Sequence, residues 1–87
     1  MQPNPMPWLA VARIKDDDGY SVFCEAGYHA AEAAAVEAAR AEARRLDGAI
    51  PSNARLHRGG CRTVSIDYGT ILHPFLDADG KPAKVAR

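Results

Sequence analysis

Apolar and polar positions alternate in short segments near the start of this chain, which is the pattern of half-buried β-strands. Residues 8–15 carry Leu9, Val11 and Ile14 among small and basic side chains, so they are predicted to form a strand. Residues 20–25 alternate strictly, with Tyr20, Val22 and Cys24 on one face and Ser21, Phe23 and Glu25 on the other. Between them, acidic side chains followed by Gly19 predict a turn, and the three segments together predict a β-hairpin.

A helical period replaces this alternation in residues 29–46. Half of these residues are alanine, and none is Gly, Pro or Thr, so the segment is predicted to be a helix. Gly48 stands where a C′ glycine would end it. At 100° per residue, one stripe of mostly small side chains faces the core; it consists of Ala35, Val36, Ala39, Ala43 and Leu46.

The second half of the chain returns to strand and turn patterns. Pro51, Gly59 and Gly60 predict a loop over residues 49–60, and residues 61–68 alternate as a strand. Gly69 with Thr70 predicts a turn. A further strand over residues 71–76 contains a proline that favours an edge position, and residues 77–80 predict another turn before a short last strand at 83–85.

The predicted architecture is therefore a single α+β domain over residues 1–87, with one Ala-rich helix packed on a small antiparallel sheet in the order β-β-α-β-β. Residues 1–7 contain three prolines and are expected to be a loose arm. An open sheet edge in so small a domain can recruit a partner strand, so homodimerisation is left open.

Charge and composition restrict the function classes. The chain has 11 Lys and Arg, 11 Asp and Glu, and a formal net charge of zero, which argues against a strong general attraction to nucleic acid or to a membrane. No apolar run approaches the roughly 20 residues that span a bilayer, and the Pro-rich start is unlike a secretory signal. The expected location is the cytoplasm, with both cysteines reduced.

Two Cys and His pairs raise a zinc hypothesis: Cys24 with His29, and His57 with Cys61. Their spacing differs from that of a C-x-x-C pair, and no local signature marks either cysteine as a nucleophile for a nearby His29, His57 or His73. The sequence therefore predicts a protein that is not an enzyme, with no catalytic residue, cofactor or metal, although zinc binding by these pairs stays open.

A basic cluster is the stronger candidate for a binding site. Guanidinium groups beside Gly59 and Gly60 are suited to gripping phosphate or carboxylate, because glycines let the backbone approach closely. The candidate partner-binding residues are Arg40, Arg44, Arg45, Arg55, His57, Arg58 and Arg62. The alternative interpretation is a solvated surface whose charges pair with Glu37, Glu42 or Asp47.

Several of these segments together resemble a known class of protein. The features are the strand at residues 8–15, the Ala-rich helix with Arg44 and Arg45, the run at 63–69 and the closing segment 75–81. In pattern they are similar to small phage-encoded anti-CRISPR proteins that act on type I surveillance complexes, some of which have a β-β-α-β-β plan.

The resemblance implies a stoichiometric inhibitor of phage origin, which would act in the host cytoplasm. It would bind a Cas nucleoprotein complex and block the binding of target DNA. The zero net charge departs from the acidic members that mimic DNA, and favours a protein–protein contact with charges of both signs. A small nucleic-acid-binding module that uses the arginine-rich loop is the alternative function, so direct nucleic-acid contact stays open.

Overall fold

The computed structural model describes residues 1–16, 19, 21–49 and 64–83. Within these residues, the elements in chain order are β1 (Gln2–Pro3), β2 (Trp8–Asp16), β3 (Ser21–His29), α1 (Glu32–Ala49), β4 (Val64–Leu72) and β5 (Phe75–Leu76). The described residues contain one helix and antiparallel strands, so the predicted α+β class is confirmed.

Strands β2, β3 and β4 form an antiparallel sheet in the order β3-β2-β4. The predicted hairpin is confirmed, since β2 pairs with β3. Val22 and Cys24 lie opposite Ile14 and Ala12, while Phe23 lies opposite Arg13 on the other face. The alternation predicted for this segment is therefore confirmed in its described residues.

The turn predicted at Gly69 and Thr70 is wrong. Both residues lie inside β4, where they pair with Val11 and Ala10 of β2. Gly69 is not among the described glycines with positive φ, so its backbone is extended like that of its neighbours. Uninterrupted pairing with β2 outweighs the local preference of glycine for turns, and the strand break comes only after Leu72.

The first residues are not wholly a loose arm. Gln2–Pro3 form β1, which pairs with β5 as a second, two-stranded sheet. The amide of Asn4 donates to the carbonyl of Pro74 at 3.0 Å, and its side-chain Nδ2 donates to the carbonyl of His73 at 2.9 Å. Proline suits this position because it holds an extended φ, and the neighbouring Asn4 supplies the donors that proline lacks.

Helix α1 begins at Glu32, three residues later than predicted, because His29 still belongs to β3 and pairs with Trp8. Gly48 lies inside the helix, which ends at Ala49, so the prediction that it follows the helix as a C′ residue is wrong. The predicted loop and strand segments at 50–63 and the end of the chain at 84–85 lie outside the described residues.

Most of the core lies between α1 and one face of the sheet, and Leu9 and Val11 of β2 are buried on the other face. Ala35 and Ala39 pack on Ala10, and all three side chains are fully buried. Farther along, Leu46 packs on Ala12 and Ile14. The predicted stripe is confirmed at Ala35, Ala39, Ala43 and Leu46 but not at Val36, and it brings the helix backbone close to the central strand while burying little apolar area per contact. Across the described ranges, no helix is long and apolar enough to span a membrane.

Candidate functional site

Helix α1 separates its three arginines between two flanks. Arg40 and Arg44 are four residues apart, so they lie on the same side of the helix. Together with Tyr68 of β4 they line a groove of about 300 Å³ between α1 and β4, here called the arginine groove; its lining is completed by Ala43, Asp47 and Ile66. Arg45 lines a different depression, beside Ala26 of β3.

Arg40 is held in the groove by two contacts. Its Nε donates to the hydroxyl oxygen of Tyr68 at 3.2 Å, and its Nη1 donates to Oε1 of Glu37 at 2.8 Å. The guanidinium carbon also lies 5.5 Å from the centre of the Tyr68 ring, within cation–π range. The hydrogen bond with Tyr68, followed by the charges of Tyr68 and Glu37, raises the pKa of Arg40 above its ordinary value. The side chain is therefore positioned rather than freely rotating.

Arg45, on the other flank, pairs with Glu42. This contact lowers the pKa of Glu42 and raises that of Arg45. The alternative interpretation, in which the helix arginines pair with nearby carboxylates on a solvated surface, thus applies to Arg45 and in part to Arg40. With Asp47 also in the groove, the outer surface of α1 carries charges of both signs.

The other predicted partner-binding residues, Arg55, His57, Arg58 and Arg62, lie outside the described residues. Of the described residues in the predicted set, the structure brings together Arg40 and Arg44, with Tyr68 of β4 beside them. Its position on β4 opposite Ala12 directs it to the helix side of the sheet.

Cys24 and His29 are not brought together. Their partners on β2 are Ala12 and Trp8, four residues apart, which corresponds to about 13 Å along a strand. Cys24 packs half-buried against the core, and Nε2 of His29 lies 3.1 Å from the carbonyl oxygen of Ala26. The two side chains cannot bind one metal ion, and no group of three or more His, Cys, Asp or Glu residues comes together in the described parts of the chain. His57 and Cys61 lie outside those parts.

A second surface, which the sequence reasoning missed, is the sheet face away from α1, here called the open face. Among the described elements, only α1 packs on the three-stranded sheet. A cavity of about 250 Å³ opens on this face. It is lined by Val11, Arg13, Phe23, Asp67, Tyr68, Gly69, Thr70 and Ile71. Phe23 is 64% exposed and Ile71 45% exposed.

The signal for this face was present in the sequence as the alternation of Asp67, Gly69 and Ile71, but Gly69 was interpreted as a turn residue. Once Gly69 is placed in β4, it lies opposite Val11, and Asp67 lies opposite Arg13. These residues share one face because directly paired residues of antiparallel strands point to the same side.

Three comparisons, with protein-family models, with curated proteins and with solved structures, found no match to this chain. The arginine groove and the open face are therefore interpreted from their own chemistry. The groove presents positioned guanidinium groups beside a carboxylate, and the open face presents apolar side chains beside an ion pair.

Proposed function

We propose that this chain is a non-enzymatic binding protein, and that the arginine groove docks on a protein surface with charges of both signs. The observation that carries the proposal is that Arg40 and Arg44 line one groove with Tyr68, whose hydroxyl accepts a hydrogen bond from Arg40. The partner would present a carboxylate to these arginines and a cation to Asp47. An arginine that is already positioned loses less conformational entropy when it binds a carboxylate, which favours recognition.

The charges around the groove favour a protein partner over nucleic acid. Glu37 contacts Arg40, and Asp47 lies in the same groove as Arg44. A phosphate backbone would meet these carboxylates with repulsion, whereas a protein surface can match each charge separately. The zero net charge of the chain also gives no long-range attraction to a polyanion.

The more specific form of the proposal follows from the resemblance to anti-CRISPR proteins. In that form the partner is a Cas nucleoprotein complex, and the bound protein blocks the access of target DNA. Such an inhibitor acts by occupying a surface and needs no catalytic group. The half-buried position of Cys24 against the core, away from His29, is consistent with a structural role for this thiol.

The test is a direct binding measurement with a purified type I surveillance complex, before and after nuclease treatment of any free nucleic acid. Arg44→Gln is expected to weaken binding by about three- to tenfold, the range of one interfacial charge contact. Arg45→Gln is the matched control, because it removes the same charge from the next residue of the same helix but on the other flank. It should leave the affinity within about twofold.

Equal losses in the two variants would contradict the groove assignment. Absence of binding to surveillance complexes would reject the anti-CRISPR form. Binding to free DNA or RNA that weakens steeply with salt would instead favour the nucleic-acid module. Unchanged melting temperatures of both variants would show that differences in affinity do not come from unfolding.

A further inference from the structure

The open face combines a projecting aromatic side chain with a gap. Phe23 on β3 is the most exposed large hydrophobic side chain among the described residues of the sheet, at 64%. Across β2, Gly69 leaves the gap: a Cβ atom added there would meet nothing within 4 Å. The cavity over Val11 and Gly69, bounded by Phe23 and Ile71, has a volume of about 250 Å³. An apolar cavity of about 150 Å³ already holds benzene, so this one has room for a phenyl ring.

We infer that the open face binds a second copy of this chain, with Phe23 of each protomer seated in the cavity over Gly69 of its partner. This contact is isologous, since the same two features are used by both protomers. The inference is independent of the proposed function, because the arginine groove lies on the helix side of the sheet.

The sheet order makes this exchange geometrically simple. Phe23 and Gly69 lie on the two outer strands, on opposite sides of the central strand β2. A two-fold axis that lies in the plane of the face and passes over β2, midway between them, places each phenyl ring above the partner's cavity at the same time.

Among its described residues, the open face carries equal numbers of positive and negative side chains, so the charges of one copy can be matched by those of a second copy. Arg13 and Lys15 are balanced by Glu25 and Asp67, and all four occupy paired positions on this side of the sheet. Two copies therefore bring equal numbers of positive and negative groups together, and a chain of zero net charge has no overall repulsion to overcome. An anionic membrane or a nucleic acid finds no such match.

The size of the face sets the strength of the dimer. Three strands of nine residues cover roughly 30 Å by 14 Å, or about 400 Å² of flat area. A standard protein interface buries about 800 Å² of accessible surface on each partner. We therefore expect a reversible dimer that dissociates on dilution, with a dissociation constant in the micromolar range.

The experiment is sedimentation equilibrium of the full chain over about 1 µM to about 1 mM, a range that brackets the expected constant. Gly69→Val is expected to raise the dissociation constant at least tenfold, because its Cβ enters open space in the protomer, its methyl groups take up room in the cavity, and valine favours strands. Phe23→Thr should do the same by removing the ring while placing a β-branched residue, which also favours strands, at this position.

Ser65→Val is the matched control, since Ser65 lies on the same face of the same strand, opposite Lys15 and away from the cavity. It should leave the dissociation constant within about twofold. A wild-type chain that remains monomeric at 1 mM would overturn the inference, and so would a Gly69→Val variant that dimerises like the wild type. Thermal melting of each variant at low concentration confirms that the protomer itself is folded.

Discussion

Arg13 on β2 lies directly opposite Asp67 on β4, and its guanidinium donates to both carboxylate oxygens of Asp67. Nε reaches Oδ1 at 3.0 Å, while Nη2 donates to Oδ2. The two side chains are 39% and 57% exposed, so water weakens the attraction between them. The planar guanidinium group binds both oxygens at once and so favours one register between β2 and β4, although the two residues are 54 positions apart in sequence.

The contact between Arg13 and Asp67 is expected to make the stability of the fold depend on pH. The hydrogen bond from Arg13, and then its charge, lower the pKa of Asp67 below the ordinary value of 3.8. Because the pKa is lower in the folded state, the pair stabilises the fold above about pH 4, and this contribution is lost as the pH falls through the folded-state pKa. In Arg13→Gln, the pKa of Asp67 measured by NMR titration should rise towards 3.8.

Lys15→Gln provides the control for that titration. Lys15 lowers the pKa of Asp67 through its charge alone, and this is a smaller cause than the contact with Arg13. The rise in the pKa should therefore be smaller than in Arg13→Gln. Equal rises would mean that general charge, and not the hydrogen-bonded fork, holds the carboxylate in its ionised form.

Ala39→Leu tests the close approach of α1 to the sheet. The side chain of Ala39 is fully buried against Ala10, so three extra carbon atoms have no space there. We expect the free energy of unfolding to fall by about 1–3 kcal/mol, the usual cost of overpacking. Ala41→Leu adds the same atoms at an exposed position of the same helix and should change stability by less than about 0.5 kcal/mol. Urea denaturation measures both, and similar losses would contradict the packing.

Gly48→Ala tests where the helix ends. Gly48 lies inside α1 without a positive φ, and an added Cβ would meet nothing within 4 Å. Alanine should therefore stabilise the protein by about 0.4–1 kcal/mol. Gly27→Ala is the opposite case, because φ is +90° at the irregular part of β3, and alanine should destabilise the protein by about 1 kcal/mol or more. A loss of stability in Gly48→Ala would indicate a left-handed C′ residue after all.

Asn4→Ala tests the attachment of β1 to β5. The side chain of Asn4 donates to the carbonyl of His73 and accepts from the amide of Met6, both at 2.9 Å. Its loss should cost about 1 kcal/mol and increase hydrogen exchange of the backbone amide at position 4, which in the wild type donates to the carbonyl of Pro74. Gln2→Ala, an exposed change in β1 itself, should leave that exchange near the wild-type rate. Fast exchange at Asn4 in the wild type would mean that the first residues are a loose arm.

The sequence by itself determined the elements whose cause is local. Alanine content and the absence of breakers predicted the helix, and strict alternation predicted the β2–β3 hairpin and its faces, because both depend on neighbours within a few residues. It also predicted that Ala35, Ala39 and Leu46 would face the core, which the packing confirms. The arginines of the helix were identified, but not the flank on which each one lies.

Only the tertiary structure decided which surfaces exist. Arg44 and Arg45 are adjacent in sequence, yet a helix rotates about 100° per residue, so one lies beside β4 and the other beside β3. Gly69 is a turn former in isolation, but pairing with Val11 holds it in β4 and opens the cavity that Phe23 borders. These relationships arise from strands that meet across more than 50 residues of chain, and local periodicity carries no information about which strands will become neighbours.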